Sequence, residues 1–376
     1  MRFWLHLAEI AVRPASMAIA LIAQAYLLQK SAEGFLTFNA LFATQNILAH
    51  LFYPGFGTTA FRAANGFSKI QRRYFYSASA VLLTLALASF SFWSAAAIAL
   101  AGAVFTAARL IAAQYYLGAA RPISSSMLTQ ILPWSTLIAL LMALPDATLI
   151  ALLPLAMVVP SSVISLRAIL RFAPSELDNS LRINWRLGGY DFIQSFKNHG
   201  VSLLAAPFPG AEVAGALFMV KLLSATQNIV AYAGARRVKS FSIALRSHDE
   251  KAQKTVLKAA FRDGLLIGGL LNIGALLVYA QPFISGIEVL DTFNQYIVGF
   301  MVLSVLFSPF FLSRLIAVNL LKDGQLFMVN VTSVIVLLGS YAIGIVLITP
   351  SAAILLSYAA ASLYFMVALT FKLSKC

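Results

Sequence analysis

Along this chain, polar residues come in short clusters between long apolar stretches of nearly uniform length. A helix rising 1.5 Å per residue needs about 20 mostly apolar residues to cross a hydrocarbon layer about 30 Å thick. Twelve stretches meet that measure: 8–29, 34–56, 74–93, 95–117, 123–144 and 147–169, then 188–208, 212–235, 257–281, 289–318, 324–348 and 351–372. Only Phe92–Ser94 part the third from the fourth. The tenth is long and carries Pro309, which lacks a backbone donor and is expected to kink or break it. The pattern predicts an all-α polytopic membrane protein with twelve transmembrane helices.

The stretches repeat. "FATQNILAH" at 42–50 returns as "SATQNIVAY" at 224–232, 182 residues on, and "RLIAAQ" at 109–114 returns as "RLIAVN" at 314–319. Two echoes in the same order point to a duplication, giving two six-helix bundles, 1–175 and 176–376. An even number of spans per half gives a parallel repeat, with its pseudo-twofold axis along the membrane normal.

Charge orients the helices. With a cytoplasmic N-terminus, the inner loops and tail hold 23 of the 27 basic residues. Among them are Arg62, Lys69, Arg72 and Arg73, then Arg109 and Arg121, and a run of eight within 236–262. The outer loops keep Lys30 and otherwise carry Asp146, Glu212, Glu288 and Asp291. That asymmetry follows the positive-inside rule with both termini cytoplasmic. The run at 236–262, with Lys254, Lys258 and Arg262 at i, i+4, i+8, reads as an amphipathic helix on the membrane surface. Anionic lipids facing the inner loops account for the net charge of +14, so no nucleic-acid partner is called for.

Composition agrees: 60% of residues are hydrophobic, 11% are charged, and the mean hydropathy is +0.85. Lipid must cover much of such a surface. The single cysteine, Cys376, allows no internal disulfide and does not stand in a prenylation pattern. The first stretch, with Glu9 and Arg13 and no small-residue cleavage motif, is expected to be a retained helix rather than a signal peptide.

Polar residues inside the spans are the candidates for function. Gln45 and Asn46, with their echoes Gln227 and Asn228, are amides at mid-membrane. Each needs a partner or water, so they either hold helices together or line a hydrated cavity. Glu9 and Arg13 stand one turn apart, as a structural ion pair near the inner interface would, and Asp191 is Glu9 shifted by 182. Lys197 and Lys221 have no acid close by in sequence to compensate them. Cations in a cavity suit an anionic substrate such as a diphosphate. His50 and His199 read as packing residues, and no metal-ligand spacing accompanies them.

Enzymatic and cofactor motifs are missing. "GFGTTA" at 55–60 ends a span instead of following a strand, which removes the dinucleotide reading. No Walker A, HExxH or GxSxG sequence occurs, and no outer loop is long enough to carry a glycan-transferring site. The chain therefore reads as neither an enzyme nor a cofactor binder. An ion gradient or the substrate gradient would have to drive any transport, and Glu9 and Asp191 are the carboxylates placed to couple an ion.

The stretch "LLQKSAEGFLTFNALFATQNILAHLFYPGFGTTAFR", 27–62, resembles the start of polysaccharide-export and O-antigen flippases of the multidrug/oligosaccharidyl-lipid/polysaccharide exporter superfamily. The features in common are Glu33–Gly34 turning into the second span, the Gly55-Phe56-Gly57-Thr58-Thr59-Ala60 ending, and Arg62. "PFPGAEVAGALFMVKLL", 207–223, is the related start in the second half. The chain is shorter than is usual for that family, chiefly in its outer loops. The resemblance implies a MATE-like pair of bundles in the bacterial inner membrane that opens alternately to either side. It also implies flipping of an undecaprenyl-diphosphate-linked oligosaccharide to the outer leaflet, alongside glycan polymerase and glycosyltransferases. Arg13, Lys197 and Lys221 would then meet the diphosphate-sugar. An ion-coupled drug or metabolite antiporter and a non-transporting scaffold of a glycan-assembly complex are the alternatives.

Overall fold

In the computed structural model the described residues are 2–56, 69–90, 92–118, 121–143, 147–171, 185–233, 250–279, 286 and 323–373; they form helices joined by turns, with no strand among them. They fall into two compact units, Met1–Pro209 and Gly210–Cys376. The sequence sets its repeat boundary at 175/176 by counting spans, whereas packing sets the unit boundary at 209/210.

The first unit contains α1 (Arg2–Lys30), α2 (Ala32–Phe52), α3 (Lys69–Ser89) and α4 (Ser94–Gly118). A broken helix follows, of α5 (Pro122–Ser126), a π turn (Met127–Ile131) and α6 (Leu132–Ala143). A 3-10 turn (Ala147–Leu152), α7 (Leu153–Arg171) and α8 (Trp185–Ala205) complete it. Local chemistry fixes the joints. Ser31 is extended, and its Oγ accepts from Gly34 N–H at 2.9 Å, an N-cap that ends α1 and starts α2. Lys30 Nζ donates to the Leu141 carbonyl in the last turn of α6, placing a cation at a helix C-terminus and tying α1 to α6. Between α3 and α4 the Ser89 carbonyl accepts from the N–H groups of Phe92 (3.1 Å) and Trp93 (2.7 Å). Those two rings, 90% and 70% exposed, are placed as an interfacial aromatic belt would be.

α4 is the middle helix, packed on α2, α3 and α7. Its buried face is rich in Ala97, Ala103, Ala107, Ala108 and Ala112, small enough to let neighbouring backbones approach. Ser162 of α7 reaches across to the Phe105 carbonyl at 2.7 Å. The π turn has a visible cause. Pro133 has no N–H to offer the Thr129 carbonyl four residues back, and its ring would collide with it, so the helix widens there. The Leu132 N–H instead reaches five residues back to Met127.

Two expectations need correcting. Arg109 does not sit in an inner loop: it lies nine residues inside α4 and is 2% exposed. The charge count credited it to the inner side because loops hold most arginines. The basic run is not a separate surface helix either, as far as it is described. Lys251, Lys254, Lys258 and Arg262 are exposed on the first turns of α10 (Glu250–Tyr279), which continues unbroken into the ninth span. No residue between Arg262 and Gly268 breaks the helix, so its 30 residues, about 45 Å long, outrun the hydrocarbon core.

The second unit also contains α9 (Ala211–Ala233), α11 (Asp323–Leu347) and α12 (Pro350–Leu373). α11 and α12 form a hairpin. Ile348 N–H closes the turn on the Gly344 carbonyl at 2.8 Å, Thr349 Oγ1 accepts from Ala352 N–H, and Pro350 opens α12. A Cβ at Gly344 would stand 3.0 Å from that of Ala353, so the glycine allows close approach. Ile335, Ile343, Val346, Leu356 and Val367 are exposed on this hairpin, as side chains facing lipid tails would be.

Helices cover the predicted stretches except 289–318, which lies with Pro309 outside the described residues. Five described helices are long and apolar enough to cross a membrane by length and composition: Ser94–Tyr116, Ile123–Ala143, Ile150–Leu170, Gly324–Leu347 and Pro350–Lys372.

Candidate functional site

The ATQNI phrase lies in α2, and its polar side chains do different work. Gln45 is fully buried against α4, where its Nε2 donates to the Ile98 carbonyl at 3.4 Å. It lies directly on Gly102, since a Cβ built there would come within 2.2 Å of its Cδ and Nε2. Asn46 donates to the Phe42 carbonyl of its own helix at 2.7 Å, and Asn39 to that of Phe35 at 2.9 Å. Gln45 thus joins two helices of one bundle, while Asn46 turns back on its own backbone.

α8 packs on α2. Gly188 lies against Pro54, where a Cβ would meet that of the proline at 2.2 Å, and eleven residues on the His199 ring meets Phe42 edge-on at 6.1 Å. The two contacts run in opposite directions along the two chains, so the helices are antiparallel. Lys197 is therefore level with Gln45 and Asn46, and Asp191 is near the Pro54 end. The helical phase separates them further. Two residues from His199, Lys197 projects about half a turn away from α2, whereas Asp191 stays near the α2-facing side. Lys197, Asp191 and His199 are all half-buried. The structure brings Lys197 to the height of the α2 amides but not into contact with Gln45, which faces α4.

His199 joins an aromatic group that the sequence reading missed. Phe38 and Phe42 of α2 stack at 6.0 Å, and Trp134 of α6 lies 6.2 and 5.7 Å from them. The Trp134 Nε1–H donates to Gln130 Oε1 at 3.0 Å. The i, i+4 spacing of Phe38 and Phe42 was the available signal. This group fixes the face of α8 from which Lys197 projects.

In the second unit, Lys221 follows the buried run Val213–Val220 of α9 and is itself half-buried. α9 packs on α10 and α12. The side chains of Glu9, Arg13, Gln227 and Asn228 lie outside the described residues, although the helices that carry them, α1 and α9, are described. No group of three or more His, Cys, Asp or Glu suited to a metal ion occurs among the described residues.

The helical arrangement of this chain is found among solved structures. An inward-facing multidrug resistance MATE family transporter of the MOP superfamily superposes with a TM-score of 0.60 at 16% identity, over 96% of each chain. The fold is that of the MATE transporters. An outward-facing MATE transporter gives a TM-score of 0.59 at 12% identity, over 98% of this chain and 96% of that one. A MOP superfamily transporter from Pyrococcus furiosus gives 0.55 at 13% identity, over 96% of this chain and 93% of that one. Its description states that the reverse polarity of its binding pocket suggests a different function. No protein-family model matches the sequence, and no curated protein matches it. Likeness at these identities concerns the fold, and the MATE fold spans essentially the whole chain.

Proposed function

We propose that this protein is a membrane transporter that flips an undecaprenyl-diphosphate-linked oligosaccharide from the cytoplasmic to the outer leaflet of a bacterial inner membrane. The two repeats, 1–175 and 176–376, would open alternately to either side, with both termini cytoplasmic. The observation that carries this reading is Lys197, a half-buried ammonium at the height of the α2 amides, projecting away from the helix against which α8 packs. A flexible ammonium holds a phosphate as a point charge, and burial strengthens that attraction. Lys221 and Arg13 supply further positive charge, with Gln227 and Asn228 as polar contacts for the sugar. Gln45 acts as a tie within the first bundle, Asn46 bonds its own helix, and Asp191 with Glu9 would carry any coupled ion. The neighbour from Pyrococcus furiosus supports the idea that the polarity of a binding site separates functions on this fold.

The second reading is an ion-coupled drug antiporter, favoured by the multidrug resistance description of other neighbours. An exporter of organic cations would want acids where this chain has lysines. The test is made in a strain deleted for the gene, by assaying the sidedness of lipid-linked glycan in intact and lysed cells. Lipid-linked intermediates that accumulate and are reachable only after lysis are expected. Normal sidedness with altered drug tolerance would replace the flippase by the antiporter. Normal behaviour in both respects would leave a scaffold beside the glycan polymerase and glycosyltransferases.

A further inference from the structure

Arg109 is the most deeply buried charge described in the first unit and takes no part in the proposed transport. Its one hydrogen bond runs from Nη1 to the Thr129 carbonyl at 3.4 Å, and its Nε–H has no partner. That carbonyl is the one Pro133 cannot serve, so proline and arginine are complementary: one leaves an acceptor open and the other fills it. A carbonyl does not neutralise charge, however. Arginine cannot shed its proton in a protein, and a buried ion without a countercharge costs several kcal/mol.

Among the described residues no carboxylate is placed to supply the countercharge; Asp146, Glu176 and Asp178 lie outside them. Between Glu33 and Asp146 the sequence has no Asp or Glu, and Glu33 is exposed in the first turn of α2. The residues of α7 contain none either. Asp191 is carried by α8, whose packing partner is α2. Glu9 is carried by α1, which runs beside the α5–α6 helix with Lys30 at Leu141. Counting back along both helices from that contact puts Thr129 level with about residue 18, and Glu9 about 13 Å nearer the N-terminal end.

Two hydroxyls, each one turn along the helix from Arg109 or from its acceptor Thr129, are donors in want of an acceptor. Thr106, one turn before Arg109, and Ser126, one turn before Thr129, are fully buried, and neither hydroxyl oxygen has a hydrogen-bond partner. Other buried serines of this unit do bond a carbonyl: Ser162 to those of Val158 and Phe105, Ser161 to that of Val158 and Ser165 to that of Ser161. An ordered water could serve the hydroxyls, but it would leave the charge. One cation asks for one negative charge, and the alanine-lined packing around α4 asks for a small one.

We propose that the Arg109 guanidinium, with the hydroxyls of Thr106 and Ser126, holds one small monovalent anion of chloride size between α4 and the π turn. The site is independent of the transport reading, because it lies inside the first unit and needs no substrate.

The test uses the purified full-length chain in detergent, with unfolding midpoints compared in sodium chloride and sodium gluconate at equal ionic strength. Chloride at about 100 times its dissociation constant should raise the midpoint by roughly 3–6 °C, and bromide should replace it. Arg109→Met keeps bulk without charge and should abolish the difference; Thr106→Val should reduce it. Should Arg109→Met fail to fold, crystals of the unaltered protein grown in bromide decide the matter, with an anomalous peak expected within hydrogen-bond reach of the Arg109 guanidinium. Equal midpoints in the two salts, a salt difference that persists in Arg109→Met, or a bromide map without a peak at Arg109 would overturn the proposal.

Discussion

Replacing Gly102 by alanine tests whether Gln45 is a tie between helices or part of a wet cavity wall. The new Cβ would stand 2.2 Å from both Cδ and Nε2 of Gln45 and 2.6 Å from its Cγ. No carbon tolerates such distances, so either the amide moves or the helices part. Gln45 is fully buried, so no open space receives it. Overpacking a tight core costs about 1–3 kcal/mol. Losing the bond to the Ile98 carbonyl adds about 1 kcal/mol. Against these, Gly→Ala within a helix returns about 0.5–1 kcal/mol. The net expectation is destabilisation of about 1–3 kcal/mol. In a Gln45→Ala background the clash is gone, and Gly102→Ala should become neutral or stabilising. Unfolding of the four proteins of this cycle in mixed detergent micelles reads the coupling energy directly. Were Gln45 free to swing into water, Gly102→Ala would cost nothing in the native background. An unchanged or raised stability there, or an equal cost in both backgrounds, would refute the tie.

Other outcomes follow from the same contacts. Lys197→Ala should abolish surface glycan without lowering the amount of protein in the membrane, while Lys197→Arg keeps part of the activity; full activity of Lys197→Ala would remove this lysine from the mechanism. Gly188→Val should prise α8 from α2, since even a Cβ meets Pro54 at 2.2 Å, and is expected to cost about 1–3 kcal/mol, read as a lower unfolding midpoint. Asp191→Asn should impair transport and alter its dependence on pH or Na⁺ if that carboxylate carries the coupling ion; unchanged dependence would reassign it to structure.

Most of the helix pattern was legible because the bilayer imposes one length and one composition on every span. The expectation of a duplication rests on the sequence, since ATQNI recurs among residues that otherwise share only apolar character. What each polar residue does was not, because that depends on facing helices far away in sequence. Gln45 and Asn46 are adjacent and equally polar, yet one bonds a carbonyl 53 residues away and the other its own turn. Nothing in the phrase separates them; the glycine at 102 does. The exposed basic turns of α10 were read correctly as a stripe but wrongly as a separate element, because amphipathic periodicity reports a face and says little about where a helix ends.

Arg109 shows a deeper limit. Charge asymmetry orients a membrane chain well because arginines are costly in the hydrocarbon, and the same cost makes an arginine inside a span easy to credit to the nearest loop. The counter-signal was in the sequence: Pro133 in another span, whose missing N–H strands a carbonyl. Neither residue makes sense alone, since one breaks a helix and the other buries a charge. Together they satisfy the backbone and leave the charge over. Pro133→Ala puts this pairing to the test, because alanine could donate to the Thr129 carbonyl and let the π turn relax to α. The helix would then compete with Arg109 for its acceptor. The exchange should raise local helix stability while loosening the guanidinium, seen as slower amide exchange around residues 127–133 and a weaker hold on any bound anion. Unchanged exchange over those residues would mean that something other than the proline sets the turn.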